Sequence, residues 1–392
     1  MKKPGIFFWY TGFMTLIDSY NRTIDYLRIS ATDRCNFRCI YCMPEEGAEI
    51  APRENLLSAE EIVRLARIAS ELGITKIRIT GGEPLVRRDL LAIVRDIGKL
   101  TGIQDISITT NGSLLAPLAS QLADAGVKRI NISLDTLREE RFKLLARRGI
   151  LNDVLDGIES AFCADLNPIK INCVVLRGYN DDEAPDFARL TIDRAVHVRF
   201  IELMPIQWSL GDDSPSDAME AFYSSGSSSP DHRGLFAASD LLSFQRYVKP
   251  AEHSKTTTML DGARMRRAFV PSHETRSRIE ESISPLLPAH VLTNGPAHTF
   301  RLQDSAGTIG FISQLSSDLC EKCNRLRLTA DGKLRPCLMA DGEIDVRSPL
   351  RDGASDEQLA DLFRTAVLHK PKEHRLEDGF SPNSRAMSQI GG

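Results

Sequence analysis

Between residues 26 and 203 the chain alternates with unusual regularity between short strand-like runs and longer helical patterns. The runs are YLRIS (Tyr26 to Ser30), KIRIT (Lys76 to Thr80), DISITT (Asp105 to Thr110), RINISL (Arg129 to Leu134), KINCVV (Lys170 to Val175) and HVRFIEL (His197 to Leu203). Ser58, with Glu61 three residues on, makes a capping box ahead of IVRLARIASELG. That stretch keeps its apolar residues on one helical face and stops at Gly73. Strand, helix, strand at this spacing predicts parallel pairing with right-handed crossovers. Six units are too few for a closed eight-fold barrel. The expected fold is therefore α/β, a partial (β/α)6 TIM-like barrel, with a doubly wound sheet as the competing topology.

The pattern fails after Met204. From Ser209 to about Lys255 few apolar residues follow any period, and SSGSSSPDH is polar and of low complexity. Residues 206–270 therefore read as a partly disordered insertion, and the pattern resumes near Pro271. At the other end, Lys2 and Lys3 precede the apolar stretch Ile6 to Ile17, which imitates a signal peptide but has no small-x-small cleavage site. It is also too short to span a bilayer. Residues 1–13 are expected to be a dispensable extension, with Met14 the true start. The core is expected over 14–205 and a C-terminal domain over 271–392. With 392 residues, 42% of them hydrophobic, the chain can bury a large core, and its formal net charge of −4 argues against a nucleic-acid partner. The expected compartment is a reducing cytoplasm, with no membrane association.

The cysteines then narrow the chemistry. Of eight, six fall in two tight groups, which in an unsecreted protein reads as metal binding. DRCNFRCIYCMP holds Cys35, Cys39 and Cys42 directly after the first predicted strand, at the end of a barrel where active sites lie. A four-iron cluster usually takes four cysteines, so three leave one iron open to another ligand. A zinc knuckle with an outside fourth ligand is the competing reading. DLCEKCNRLRLTADGKLRPCL supplies Cys320, Cys323 and Cys337, and two such triplets are hard to explain as two incomplete zinc sites. Arg325 and Arg327 alternate on one face of a strand beside this second group, and guanidinium forks suit phosphate oxygens. Cys163 and Cys173 are expected to be small buried residues. GGEP (Gly81 to Pro84) follows the second strand, where glycines let backbone approach a ligand and Glu83 is placed to accept from an ammonium group.

C-x3-C-x2-C with an aromatic before its third cysteine resembles the radical S-adenosylmethionine (SAM) superfamily. There the open iron chelates SAM, and an electron from the cluster releases a 5′-deoxyadenosyl radical. With the second triplet the resemblance narrows to the MoaA family, the GTP 3′,8-cyclases of molybdenum-cofactor biosynthesis. It implies two 4Fe–4S clusters, SAM as cofactor, GTP as substrate and a lyase activity that closes a ring between the ribose and the guanine base. The first cluster, on Cys35, Cys39 and Cys42, would hold SAM, and the second, on Cys320, Cys323 and Cys337, the guanine. Carried over by position, SAM contacts fall on Tyr41, Gly82, Ser133 and Met204, and GTP contacts on Arg28, Arg78, Thr109, Lys170, Arg325, Leu326 and Arg327. Four arginines and a lysine converging at one mouth would suit a ligand with about four negative charges. Singly, Arg28, Arg78 and Lys170 could instead be strand-end salt-bridge residues. The resemblance further implies a tail in which Gly391 and Gly392 enter the barrel and are needed for activity. It also implies a homodimer and a downstream cyclic pyranopterin monophosphate synthase; the electron donor is unknown. The alternatives are another radical SAM enzyme with an auxiliary cluster, such as a peptide maturase, and a zinc-stabilised binding module.

Overall fold

The computed structural model describes residues 15–204, 265, 267–289, 295–315, 320–374 and 385–391. Each of the six strand-like runs forms a strand: β1 (Tyr26–Ser30), β2 (Lys76–Thr80), β3 (Asp105–Thr110), β4 (Arg129–Ser133), β5 (Ile169–Val175) and β6 (Val196–Glu202). Between them lie α1 (Ala59–Glu71), α2 (Leu90–Gly98), α3 (Ala119–Asp124), α4 (Glu139–Ala146), α5 (Leu151–Cys163) and α6 (Ala184–Asp193). The capping box of α1 is formed in full, with the Ser58 side chain accepting from Glu61 N and the Glu61 carboxylate accepting from Ser58 N. Gly73, at φ +94°, takes the left-handed conformation that ends the helix.

The C-terminal region does not stand apart from this sheet. After α7 (Ser272–Ser282) come β7 (Leu287–Pro288), β8 (His298–Arg301), β9 (Thr308–Ile312), β10 (Arg325–Leu328), β11 (Lys333–Arg335) and β12 (Ile344–Asp345), then α8 (Arg347–Arg351) and α9 (Asp356–Leu368). The strand order is β12-β11-β10-β1-β2-β3-β4-β5-β6-β9-β8-β7. β10 pairs in parallel with β1, and β9 in parallel with β6. The segment expected to be a separate domain thus extends the partial barrel on both flanks.

Strand periodicity sorts the side chains onto two faces. Outward, toward the helices, point Leu326, Leu27, Ile77 and Ile106 in one register row and Ile108, Ile130, Ile169 and Val196 in the next. All are buried in the main core. At about 1.5–3 kcal/mol for each fully buried side chain of this size, this layer supplies much of the driving force for folding. Inward points the polar set taken up below.

Three expectations need comment. Cys163, expected to be buried, is exposed at the end of α5, whereas Cys173 is buried as expected. Within the expected insertion, Met265, Ala268, Phe269 and Val270 are buried, and Phe269 bridges to Leu176. Packed chain therefore resumes before Pro271, because Met265, Ala268 and Phe269 cover Ile40 and Leu203 in a small second core while Val270 joins the main one. Residues 1–13, Met14, the stretch from Ser209 to Lys255 and Gly392 lie outside the described residues.

Candidate active site

The loop after β1 carries the first cysteine triad. Its conformation is fixed by the main chain: Cys42 and Met43 N–H donate to Cys39 O, and Arg38 and Ile40 N–H donate to Ala146 and Leu145 O at the end of α4. The Arg38 guanidinium donates to Cys35 O at 2.7 Å. Cys39 feels the charge of both Cys35 and Cys42. Burial first, then the carboxylate of Asp135 and the other two thiols, hold Cys39 well above its ordinary pKa. Burial likewise pushes Cys35 up to about 11 and Cys42 up to about 12. An apolar and anionic pocket of this kind favours thiolates only when a metal centre supplies the compensating charge. Among the described residues no three Cys, His, Asp or Glu side chains converge closely enough for a single ion.

GGEP packs directly on this loop. A Cβ at Gly81, whose φ is +155°, would meet Thr32 O at 2.5 Å, and one at Gly82 would meet Arg34 O at 2.4 Å. Gly82 and Glu83 N–H donate to Thr32 and Arg34 O, both at 2.8 Å. The close approach that these glycines permit is therefore to the backbone leading into the cysteines. Glu83 is buried and already engaged, accepting from Thr110 Oγ1 at 2.7 Å, Asn111 N at 2.6 Å and Leu85 N at 3.0 Å. Burial pushes its carboxyl up to about 7 against those hydrogen bonds. Tyr41 donates to Asp135 Oδ2 at 2.7 Å, and Asp135 also accepts from Val174 N at 2.9 Å. Ser133 ends β4 opposite Asn172. Met204 packs with Met339 and Ile390 beside Cys337.

The inner face of the sheet is strongly basic. One register row runs Arg327, Arg28, Arg78, Ser107, Arg129, and the next Thr109, Asn131, Lys170, His197, Thr308. Arg199 lies one step further along β6, opposite Asn172. Lys76 is tied to Asp25, and Arg129 to Asp105. Among the described residues no carboxylate pairs with Arg78, Lys170, Arg199, Arg325 or Arg327, so the salt-bridge reading of Arg78 and Lys170 does not hold. Burial, then the charges of Arg199, Arg129 and Arg78, push Lys170 down to about 6. Burial and Lys170 push His197 down to about 4. Arg199 falls to about 9 and Arg327 to about 10, burial leading in both. Tyr26 Oη, Thr109 Oγ1, Asn131 Oδ1 and Asn172 Oδ1 on this face are buried without a hydrogen-bond partner. Each such group costs about 1–3 kcal/mol. A cavity of unbalanced cations and orphaned polar atoms is built for a polyanion rich in hydrogen-bonding groups.

Leu326 alternates with Arg325 and Arg327, so its side chain is turned into the outer core beside Leu27 and only its backbone faces the cavity. Arg199 was passed over among the candidates, although the alternation that selects Arg28 and Lys170 would also have selected it.

The second triad sits on the loop before β10 and the turn after β11, and the tail joins it to the first. Arg327 feels both Cys323 and Cys337, and its Nη1 donates to Gly391 O at 2.8 Å. Upstream in the tail, the backbone of Ser388 influences Cys42, and Met387 and Ile390 pack beside Cys337. The tail therefore lies near both triads.

Residues 29–191 match the radical SAM superfamily, and residues 255–376 match Molybdenum Cofactor Synthesis C. The barrel with its three-cysteine loop is that of a radical SAM enzyme. The chain is 45% identical over 376 residues to the GTP 3′,8-cyclase of Moorella thermoacetica, covering 96% of this chain and 99% of that one. It is 44% identical over 376 residues to that of Pelotomaculum thermopropionicum, with the same coverage, and 45% identical over 378 residues to that of Heliobacterium modesticaldum, covering 96% and 100%. The chain belongs to the GTP 3′,8-cyclase family.

Proposed function

We propose that this chain is a lyase that converts GTP to (8S)-3′,8-cyclo-7,8-dihydroguanosine 5′-triphosphate for molybdenum-cofactor biosynthesis. The observation that carries the reading is the pair of cysteine triads, with the tail near both, beside an inner sheet face that presents Arg28, Arg78, Lys170, Arg199, Arg325 and Arg327. A peptide maturase would have no use for so many buried cations without carboxylates. A zinc module would have none for an open fourth position at two sites.

In this reading Cys35, Cys39 and Cys42 hold a 4Fe–4S cluster together with SAM, which when bound supplies a 5′-deoxyadenosyl radical. Tyr41, Gly82, Ser133 and Met204 line the SAM side, where the close backbone packing of GGEP excludes water. Cys320, Cys323 and Cys337 hold the second cluster. Thr109 offers its unpartnered hydroxyl to the nucleotide, while the arginines and Lys170 neutralise the triphosphate and fix the distance between ribose and radical source. The backbone of Leu326 faces the nucleotide between the two arginine forks. Gly391 fills space beside the substrate, and the tail of Gly391 and Gly392 is needed for activity.

No helix among the described residues is long and apolar enough to cross a membrane, which accords with a cytoplasmic site. We further propose a homodimer that delivers its product to a cyclic pyranopterin monophosphate synthase. The test is anaerobic: the protein is reconstituted with iron and sulfide, reduced with dithionite and given SAM with and without GTP. GTP-dependent formation of 5′-deoxyadenosine and cyclised nucleotide, read by mass, is expected. SAM cleavage with GTP untouched would refute the substrate, and a colourless protein without cleavage would restore the zinc reading.

A further inference from the structure

The two cysteine triads lie in opposite electrostatic surroundings. Around the first, the leading charge is the Asp135 carboxylate on Cys39 and the Glu83 carboxylate on Cys35, while on Cys42 the Cys35 thiol outweighs Asp135. Around Cys323 of the second, the leading charges are the cations Lys370 and Arg325. Lys370, just beyond α9, is only 4% exposed. Its ammonium donates to Arg325 O at 2.8 Å and to Pro336 O at 2.6 Å. Arg325 lies two residues after Cys323, and Pro336 directly precedes Cys337, so one side chain ties together the two chain segments that carry these cysteines. The ammonium charge is also felt at Cys323, whose pKa it helps to lower.

No carboxylate among the described residues pairs with Lys370. A buried ammonium without a counter-charge is costly, and here the anion within reach is the thiolate set itself. The segment behind it is also held. Arg22, clamped to Asp18 at 2.6 Å, donates to Cys320 O at 2.8 Å and to the carbonyls of Pro371 and Lys372 at 2.6 and 2.8 Å. Arg22 and Lys370 together thus fix backbone at or beside all three cysteines of the second triad.

We infer that Lys370 is a positioning residue of the second triad and makes the cluster held there easier to reduce than the cluster of the first. The inference rests on the proposal of two clusters. An electron added to a cluster beside a buried cation gains Coulomb energy, and a hydrogen bond to a ligand sulfur acts in the same direction. An electron added beside Asp135 and Glu83 loses it. The ranking suits the roles assigned above, because cleaving a sulfonium demands the stronger reductant.

The test uses the full chain with Cys35, Cys39 and Cys42 all replaced by Ala, so that only the second triad can take up iron. After anaerobic reconstitution, iron is counted and the cluster is titrated by electron paramagnetic resonance at fixed applied potentials. Lys370→Gln keeps a hydrogen-bond donor but removes the charge. It is expected to retain iron and to show at least a tenfold lower ratio of reduced to oxidised cluster at the same potential, about 59 mV for a one-electron couple. Lys370→Arg should stay near the parent. The converse chain, with Cys320, Cys323 and Cys337 replaced, should titrate at a more negative potential than the parent.

An unchanged potential in an iron-replete Lys370→Gln protein would overturn the inference, as would a first cluster that reduces more readily than the second. If Lys370→Gln loses its iron or does not fold, Lys370→Arg decides. Iron retained at the parent potential supports a role for the charge, and iron lost in both variants overturns it. If the parent itself takes up no iron, the two-cluster reading fails, and the inference with it.

Discussion

Arg327 reaches from β10 to the end of the chain, its Nη1 donating to Gly391 O at 2.8 Å while its guanidinium lies beside Cys323 and Cys337. The tail is admitted because Gly391 has no side chain. At φ +68° a Cβ there would meet Thr80 Cγ2 at 2.8 Å. A left-handed alanine costs about 1–2 kcal/mol before any clash is counted, so Gly391→Ala should withdraw the tail and lower cyclisation at least tenfold. Deleting Gly391 and Gly392 should abolish it. Iron content should be unchanged in both, since neither residue is a cluster ligand. Mass analysis of the nucleotide alongside an iron assay checks this, and full turnover by the truncated chain would refute it.

The triads should fail in different ways. Cys39→Ala removes a ligand from the loop that holds SAM in the proposed reading and should stop 5′-deoxyadenosine formation altogether. Cys323→Ala should leave some uncoupled SAM cleavage while losing GTP conversion. Equal loss of both activities in the two variants would contradict the division of labour.

Lys170 gives the site a pH signature. Pushed down to about 6 by burial and by Arg199, Arg129 and Arg78, it is largely neutral in the free enzyme at pH 7.5. A bound triphosphate favours its charged form, so its pKa rises on binding and a proton is taken up. GTP affinity should therefore strengthen as pH falls from about 8 toward 6 and level off below, where the free enzyme is already protonated. His197, pushed down to about 4, stays neutral over this window. Calorimetry in two buffers of different ionisation enthalpy should show net proton uptake at pH 7.5, and Lys170→Met should remove it. Binding heats that do not depend on the buffer would contradict the linkage.

Arg199 tests the reach of the basic face. It lies opposite Asn172 with no carboxylate partner among the described residues, and burial leads in lowering its pKa. Arg199→Met should weaken GTP binding at least tenfold, about 1.4 kcal/mol, and SAM binding by less, because the triphosphate carries more charge for the guanidinium to meet. Equal losses for both ligands would mean a general collapse of the barrel.

What the sequence disclosed follows from which forces are local. The alternation in KIRIT and KINCVV fixes both strand and face, so Arg78 and Lys170 could be aimed inward without knowing the sheet order. Ser58 and Glu61 lie three residues apart and announce their own helix start. By contrast, the pairing of β10 with β1 and β9 with β6 is a contact between distant segments, invisible to any local pattern, and with it went the second triad's place in the sheet. Leu326 alternates with Arg325 and Arg327, so its side chain lies in the outer core and only its backbone can share the motif's face. Lys370 and Arg22 act on carbonyl groups, which leave no trace in side-chain identity.

The tail's path depends on one further residue. Arg385 lies six positions before Gly391 and is held by four hydrogen bonds: Nε and Nη2 to Glu343 at 2.6 and 2.8 Å, and Nη1 and Nη2 to Asp331 at 3.1 and 2.9 Å. Glu343 is shared with the fully buried Arg335, so the anchor is part of the packed structure and not a surface pair. Two bidentate partners fix the direction of the chain as well as its position, and from there Met387 to Gln389 form a single tight turn before Gly391. Arg385→Gln keeps length and some hydrogen bonding but loses the fork, leaving Asp331 without its cation while Glu343 keeps Arg335. It should cost about 3–5 kcal/mol of local stability if the pairs behave as buried ones, freeing the tail without unfolding the barrel. The expected result is a fall in kcat for cyclisation of at least tenfold, with iron content, SAM binding and GTP affinity each within about twofold of the parent. Hydrogen exchange should show residues 385–391 losing protection while β1 to β6 keep theirs. Protection retained in the tail despite the substitution would mean that Arg327 and the apolar contacts of Ile390 hold it unaided, and that Arg385 is dispensable for its entry.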